Sequence, residues 1–165
     1  MAITKQKKSE IISKLKGIFS ASSAIAFVQF NKLTVANAQA LRRKLREART
    51  GYFVAKKTLI RKSLEGTNIT GTLPQLDGEV AIAYLEKGDD TTAPAREVFG
   101  FEKKLEKAVR LIGGIFEGRF IGQADILALA SIPSRQTLLA QFVNLINSPI
   151  QRLVVGLDQI AKKKG

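Results

Sequence analysis

The segment SAIAFVQFNKLTVANAQALRRKLREARTGYFVAKKT, residues 23–58, decides the fold because it contains two predicted strands and the helix between them. Ser23–Phe30 is an apolar run with little polar interruption, and Gly51–Thr58 is a second apolar segment, opened by a Thr-Gly turn. Between them, Thr34 is suited to cap a helix that extends to about Ala48, since apolar residues recur there every three or four positions. The segment therefore predicts a β-α-β unit.

A second β-α-β pattern follows, after a connection rich in Gly, Thr and Pro. Its strands are predicted at Glu79–Lys87 and at Val109–Ile121, the latter as a single strand or a hairpin. The helix between them is predicted near Thr92–Lys107, with Asp89 or Asp90 as its cap. The order predicts an α+β fold of the α/β-plait type, with a ferredoxin-like, four-stranded, largely antiparallel sheet and extra helices. The extra helices are expected near Lys5–Phe19, at Leu59–Leu64 and at Ala124–Ile132.

The pattern changes after Ile132, which divides the chain into residues 1–132 and a helical C-terminal extension of residues 133–165. In the extension, apolar residues recur in steps of three and four, as on one face of a helix. Ser148 followed by Pro149 is typical of a helix start, so the helix is expected to break or bend there and to restart. The apolar stripe consists of Leu139, Phe142, Val143, Ile146, Ile150, Leu153, Leu157 and Ile160.

Three uses of this apolar stripe are open. Binding of partner helices is favoured, because the β-α-β-β-α-β unit is complete without the extension and the extension is long. Packing into a core is the second use. A membrane surface is the least favoured, because the polar face lacks the Lys and Arg residues that contact lipid headgroups.

Positive charge is concentrated in the first part of the chain. The formal net charge is +13, and residues 1–62 hold 15 Lys and Arg against two Asp and Glu, whereas residues 63–165 hold 12 of each kind. A charge that serves only solubility would be spread over the whole surface. Concentration over three successive predicted elements favours a binding surface for a polyanion over a solvated basic face.

The composition also excludes several classes of chemistry. There is no Cys and no His, so disulfides, thiolate nucleophiles, imidazole bases and Cys/His zinc sites are excluded. Neither GTNITGT nor GGIFEG has the pattern of a phosphate loop or a dinucleotide fingerprint. We therefore expect no enzyme, cofactor, metal or small-molecule substrate. No apolar run is long enough to span a membrane and the basic N-terminal segment lacks a signal core, which predicts a cytoplasmic protein without membrane contact.

The basic residues near the first β-α-β unit are candidates for binding folded RNA through its backbone, and charge alone does not exclude DNA. Arg42, Arg46 and Arg49 follow one another along the predicted helix beside its apolar side, and Arg43 and Lys44 extend the basic band. Where one element ends and the next begins, guanidinium groups and helix-end N–H donors are expected to meet at one edge and grip phosphate. The candidate RNA-binding residues are Lys7, Lys8, Lys32, Arg42, Arg43, Arg46, Lys56, Lys57, Thr58, Arg61 and Lys62.

The same residues carry a family resemblance. FNKLTVANAQALRRKLREA followed by YFVAKKTLIRKSL resembles the N-terminal signature of the bacterial large-subunit ribosomal protein L10 family, which forms the base of the ribosomal stalk. Further matches are APAREVFGFEKK, GGIFEG and LASIPSRQTLLAQFVNLINSPIQRLV, so the resemblance covers nearly the whole chain in order. This sequence has Lys57 where Asn is commoner in the family motif, and its tail after SPIQRLV is shorter than usual.

The resemblance implies a protein without catalytic activity. Its N-terminal domain, residues 1–132, is expected to bind large-subunit (23S) ribosomal RNA beside ribosomal protein L11. Its C-terminal helical tail, residues 133–165, is expected to anchor dimers of the acidic stalk protein that recruits translational GTPases. The residues expected to bind these dimers are Ile146, Ile150, Leu153, Val154, Leu157 and Ile160.

Two other classes of function stay open from the residues themselves. A DNA- or RNA-binding regulator outside the ribosome would use the same positive charge equally well. An enzyme that acts on an anionic substrate is the weaker alternative. Co-sedimentation with large ribosomal subunits separates the ribosomal function from both.

Overall fold

The computed structural model describes residues 5–65, 67, 69–86, 90–105 and 108–164. The chain divides into two compact units, Met1–Ile132 and Pro133–Gly165. The elements in chain order are α1 (Lys5–Ala21), β1 (Ala24–Phe30), α2 (Val35–Glu47), β2 (Thr50–Ala55), α3 (Lys57–Leu64), β3 (Glu79–Leu85), α4 (Ala93–Glu102), β4 (Val109–Phe116), β5 (Arg119–Ile121), α5 (Gln123–Ser131) and α6 (Arg135–Lys164).

The strands form one antiparallel sheet in the order β2-β3-β1-β4-β5. The first four strands have the ferredoxin-like arrangement, which confirms the predicted fold class. The sheet has five strands rather than the predicted four, because the last segment is a hairpin. Glu117 and Gly118 both have positive φ, 51° and 76°, as the tight turn of a two-residue hairpin requires. β5 therefore becomes the edge strand on that side.

The sheet is buried on both faces, which explains the continuous apolar pattern of β1. Ala26 and Val28 point to a core that includes Leu41 and Leu45 of α2, together with α4 and α5 residues. The alternate residues of β1 belong to a second core, which α1 and α3 complete. Successive side chains of a strand point to opposite faces, so one short run supplies both cores. The residues of the second core are Leu15, Phe19, Ile25, Phe27, Leu59, Ile60, Leu76, Val80, Ile82 and Ile115.

The boundary between β2 and α3 differs from the prediction. β2 starts at Thr50, which is buried within the strand, and the chain turns one residue earlier at Arg49, with φ 54°. The strand ends at Ala55 because its partner β3 begins near Val80, the residue that pairs with Ala55. Lys56 is then the N-cap of α3 rather than a strand residue.

Helix α4 is shorter than predicted and is not capped by Asp90. Three residues used in the prediction lie outside the described residues: the predicted strand end at Lys87, the alternative cap Asp89 and the predicted helix end at Lys107. The Asp90 carboxylate accepts hydrogen bonds from Arg96 Nη2 and Thr92 Oγ1, both at 2.8 Å. Burial acts to raise the pKa of Asp90, but these hydrogen bonds outweigh it and hold the pKa below its ordinary value.

Helix α6 is continuous from Arg135 to Lys164, so the predicted restart at Pro149 is wrong. Ser134 caps its start, since its Oγ accepts from the backbone N–H of Thr137 at 3.3 Å. Pro149 has no N–H to donate to the carbonyl four residues earlier, that of Leu145. Because the Leu145 side chain is 70% exposed, water can reach this turn, and the missing hydrogen bond does not end the helix. Ser148 and Pro149, which the sequence predicts as the cap and the first turn of a new helix, are interior positions of α6.

Candidate nucleic-acid interface

The structure distributes the predicted basic residues around the edge strand β2. α2 precedes β2 and packs on one face of the sheet, where Leu41 and Leu45 are buried. α3 follows β2 and packs on the opposite face through Leu59 and Ile60. The basic helices therefore flank β2 from both sides. We call β2 with its two flanking helices the β2 edge.

One end of the sheet contains a cleft of about 510 Å³. The antiparallel register brings Phe30, the last residue of β1, opposite Glu79, and Ala55, the last residue of β2, opposite Val80. All four line the cleft, together with Ile11 of α1. We call it the end cleft; its remaining lining residues are Val54, Lys56, Lys57, Thr58, Leu59 and Gly78.

Most of the predicted lysines belong to this end of the sheet. Lys56 and Lys57 line the end cleft directly. Lys7 and Lys8 are exposed and precede Ile11 by about one helical turn on α1. Lys32 is exposed, lies two residues beyond the end of β1 and has φ 48°. The topology therefore gathers five of the predicted residues around one cleft.

The start of α3 offers backbone donors beside these lysines. Its N-cap is Lys56, whose side chain makes no capping hydrogen bond. The carbonyl of Lys56 accepts from the N–H groups of Leu59 and Ile60, so those of Lys57 and Thr58 belong to the uncapped first turn. Thr58 is itself exposed and lines the end cleft. Arg61 and Lys62 are exposed one turn further on, so they extend the basic surface along α3.

The arginines of α2 lie on the other face of the sheet. The Arg42 guanidinium is 6.0 Å from the centre of the Tyr52 ring. Burial raises the pKa of Tyr52 to about 12, against the opposite effect of the Arg42 charge. Arg43 pairs with Glu47 at 3.4 Å, an exposed contact that contributes little energy. Arg46 is exposed and, within the described residues, has no ion pair.

Lys44 is occupied by contacts within the protein. Its Nζ lies 3.5 Å from the Glu97 carboxylate and 5.5 Å from the centre of the Phe101 ring. It therefore ties α2 to α4 and is less available to a ligand than Arg46. The arginines of α2 and the start of α3 therefore pack on opposite faces of the sheet, on either side of the edge strand β2.

The candidate set from the sequence omits several residues of this region. Phe30, Val54 and Glu79 line the end cleft, and nothing in their local pattern distinguishes them from ordinary strand residues. Arg49 is exposed and holds a left-handed backbone conformation directly after α2. Glycine is the usual residue in this left-handed position after a helix. An arginine there is a signal of function that the sequence alone could have provided.

The remainder of the first unit has the opposite charge balance. Residues 63–132 contain seven Lys and Arg and eleven Asp and Glu. These residues include β3, α4, β4, β5 and α5, and β4 and β5 lie on the far side of the sheet from β2. The positive excess of the first unit therefore belongs to residues 1–62, which form α1, β1, α2, β2 and most of α3.

In α6, the predicted dimer-binding residues are exposed apolar side chains. Ile146, Ile150 and Leu153 are 59%, 63% and 66% exposed, and the other three are exposed to a similar extent. Leu138 and Leu145 are also exposed and widen the apolar stripe on one side. The remaining three predicted residues are Val154, Leu157 and Ile160.

Two further kinds of site are not found in the described part of the chain. None of its helices combines the length and the apolar character that crossing a membrane requires. The same residues contain no group of three or more Asp and Glu side chains placed to hold a metal ion.

Known proteins similar to this chain confirm the resemblance found in the sequence. The family model described as Ribosomal protein L10 matches residues 3–103, and that described as Ribosomal protein uL10 C-terminal region matches residues 132–165. The chain is 34% identical to the large ribosomal subunit protein uL10 of Leptothrix cholodnii, over 99% of this chain and 88% of the relative. It is 36% identical to the protein of the same name from Clostridioides difficile, over 94% of this chain and 92% of the relative. The chain therefore belongs to the bacterial ribosomal protein L10 family, and it is a structural, non-enzymatic constituent of the large ribosomal subunit.

Proposed function

We propose that residues 1–132 bind large-subunit (23S) ribosomal RNA through the β2 edge and the end cleft. The observation that carries this proposal is the charge of the first 62 residues, 15 Lys and Arg against two Asp and Glu, on the elements that surround β2. Lysines and arginines neutralise phosphates and release counterions, which supplies most of the affinity for RNA. The binding residues are those predicted from the sequence on α1, α2 and α3, with Lys32 between β1 and α2.

We propose further that residues 133–165 anchor the dimers of an acidic stalk protein. The exposed apolar stripe of α6 offers a helical face that a partner helix can bury, as in other helix-in-groove complexes. The charge of this unit fits an acidic partner, since it contains five Lys and Arg and one Asp. A position beside ribosomal protein L11 and a cytoplasmic location complete the proposal, and both rest on the family resemblance.

One pair of double variants tests both halves. Lys56→Glu with Lys57→Glu is expected to lower the affinity for large-subunit RNA by more than tenfold and to leave binding of the stalk dimers unchanged, because each lost phosphate contact and each new repulsion weakens the electrostatic term. Leu153→Asp with Leu157→Asp is expected to abolish dimer binding and to leave RNA binding unchanged, because burying two carboxylates against a partner is costly. RNA affinity is measured by a gel-shift assay, and dimer binding by co-purification.

The chain offers a matched control for each variant. Lys103→Glu with Lys104→Glu changes the charge by the same amount on the α4 side of the first unit and should leave RNA affinity nearly unchanged. Gln151→Asp with Gln159→Asp adds the same charge to the polar side of α6, away from the stripe, and should leave dimer binding intact. Equal effects of a variant and its control would contradict that half of the proposal.

A further inference from the structure

The end cleft combines apolar walls with charged groups. Its volume of about 510 Å³ lies in the range of about 300–1,000 Å³ that small-molecule sites occupy. Ile11, Phe30 and Val54 contribute apolar lining, whereas Lys56 and Lys57 contribute positive charge. A surface that only follows an RNA backbone needs the positive charge but not the apolar walls. The cleft therefore fits a ligand with both an anionic part and an apolar part.

Few large apolar side chains of the first unit are exposed, and one of them lines the end cleft. Among the described residues outside α6, the exposed large apolar side chains are Val35, Val54 and Ile132. Val54 lines the end cleft and is 44% exposed. Val35 is the first residue of α2, three positions after Lys32, and is 74% exposed. One of these three side chains, that of Val54, therefore lines the cleft together with Lys56 and Lys57.

We propose that the end cleft binds one unpaired nucleotide of the RNA. The base packs against the apolar walls, and Lys56 and Lys57 contact the adjoining phosphates. Glu79, the carboxylate of the cleft, accepts a hydrogen bond from an exocyclic amino group, as carboxylates do from cytosine N4. The proposal rests on the proposed RNA-binding function and deepens it, because it predicts a preference for RNA with an unpaired nucleotide over continuous duplex.

An RNA base fits this cleft better than a protein segment does. Proteins recognise specific RNA mostly at unpaired nucleotides, whose bases leave the stack and enter apolar sites. An acidic peptide would satisfy the lysines, but its carboxylates would also face Glu79. A base presents amino groups to that carboxylate and its phosphates to the lysines. The two kinds of charge in the cleft are therefore both used.

A second cleft provides an internal control. It has a volume of about 500 Å³ and lies at the opposite end of the β2–β3 pair, where Phe53 and Tyr84 line it. α1 borders both clefts, through Ile11 in the end cleft and Gly17 in the second. A Cβ atom added at Gly17 meets nothing within 4 Å. A side chain can therefore be introduced there without a clash.

The test compares Val54→Lys with Gly17→Lys, which add one positive charge to clefts of similar size. The probes are an RNA hairpin with one bulged 2-aminopurine nucleotide and the same hairpin fully paired. The wild-type protein is expected to bind the bulged hairpin about tenfold more tightly, with a change in 2-aminopurine fluorescence, because burial of one base contributes this much. Val54→Lys is expected to abolish the preference and the fluorescence change while it keeps or increases affinity for the paired hairpin. Gly17→Lys is expected to retain both.

A second variant tests the hydrogen bond to the base. Glu79→Gln is expected to reduce discrimination between a bulged cytidine and a bulged uridine, because uracil has no exocyclic amino group for the carboxylate. Equal wild-type affinity for bulged and paired hairpins would overturn the inference. So would a Val54→Lys variant that keeps the RNA preference but no longer retains ribosomal protein L11, because the cleft would then bind protein. If the wild-type protein bound no large-subunit RNA, the proposed function itself would fail.

Discussion

At the scale of single residues, three non-glycine positions in the described part of the chain have left-handed backbone conformations. They are Lys32, Arg49 and Glu117, with φ values of 48°, 54° and 51°. A side chain in this region costs free energy that glycine avoids, and such residues often mark functional positions. Two of the three are basic and belong to the strongly basic part of the chain. Their side chains are therefore retained at a cost in stability.

Replacement of Arg49 by glycine should separate stability from binding. Arg49→Gly is expected to raise the free energy of unfolding by up to about 1 kcal/mol, because glycine adopts this conformation without strain. RNA affinity is expected to fall and its salt slope to decrease by about one, as for the loss of one phosphate contact. Thermal unfolding and RNA titrations at several salt concentrations measure the two effects.

Glu117 offers the matched control for this substitution. Glu117→Gly relieves the same type of strain in the β4–β5 turn, on the opposite side of the sheet from β2. It is expected to raise stability without weakening RNA binding. Unchanged RNA affinity in Arg49→Gly would show that the arginine serves another purpose.

Tyr52 gives the fold a defined response to alkaline pH. The phenol has an ordinary pKa of 10.0 and a pKa of about 12 in the folded protein, chiefly because of burial. The folded state thus favours the neutral phenol, and this contribution to stability is complete below pH 10 and is lost as the pH rises towards 12. Tyr52→Phe should remove this component, so the difference in unfolding free energy between variant and wild type should change across this pH range. A constant difference would contradict the assignment.

At the scale of elements, the local sequence pattern predicted those helices and strands whose signals lie within the segment itself. β1 and the Thr34 cap were predictable because a buried strand and a capping hydroxyl have local signals; Thr34 Oγ1 accepts from the Asn37 N–H at 3.4 Å. The start of α3 was placed two residues late, since the end of β2 depends on where β3 begins. The continuous α6 was missed because Pro149 has the same local pattern at a helix start and inside an exposed helix.

Pro149 should weaken α6 locally. Pro149→Ala restores an N–H donor for the Leu145 carbonyl and removes a ring that crowds the preceding turn. The variant is expected to stabilise the helix around this position by up to about 3 kcal/mol. Hydrogen exchange of the full-length protein should then show slower exchange of amides on both sides of residue 149. Unaltered exchange there would mean that water already compensates the missing hydrogen bond fully.

At the scale of the whole molecule, charge balance was the most informative property of the sequence. It predicted a polyanion-binding surface in the first 62 residues. Membership of a family of large-subunit ribosomal proteins is consistent with this prediction. The division of the basic residues between two faces was not predictable, because it depends on which side of the sheet each helix packs. The end cleft was not predictable either, since strands, two helices and a loop meet there only in three dimensions.

Salt dependence should report the number of phosphates that the β2 edge contacts. If about six contacts form, affinity for large-subunit RNA should fall by about 10³-fold between 50 mM and 200 mM salt. Lys56→Glu with Lys57→Glu should reduce this slope, since fewer counterions are released. Filter-binding titrations across this range measure it. Affinity that does not change with salt would contradict electrostatic binding through this surface.

The unequal charge across the sheet has a consequence for the kinetics of encounter. Residues 1–62 carry the positive excess, whereas residues 63–132 are net acidic, so the first unit has an electric dipole. In the field of a polyanion, a dipole experiences a torque over roughly the Debye length, about 10 Å at moderate salt. Such steering raises association rates by about 10- to 10³-fold. If residues 1–132 bind RNA as proposed, the first unit should turn its basic elements towards the RNA before any side chain makes contact.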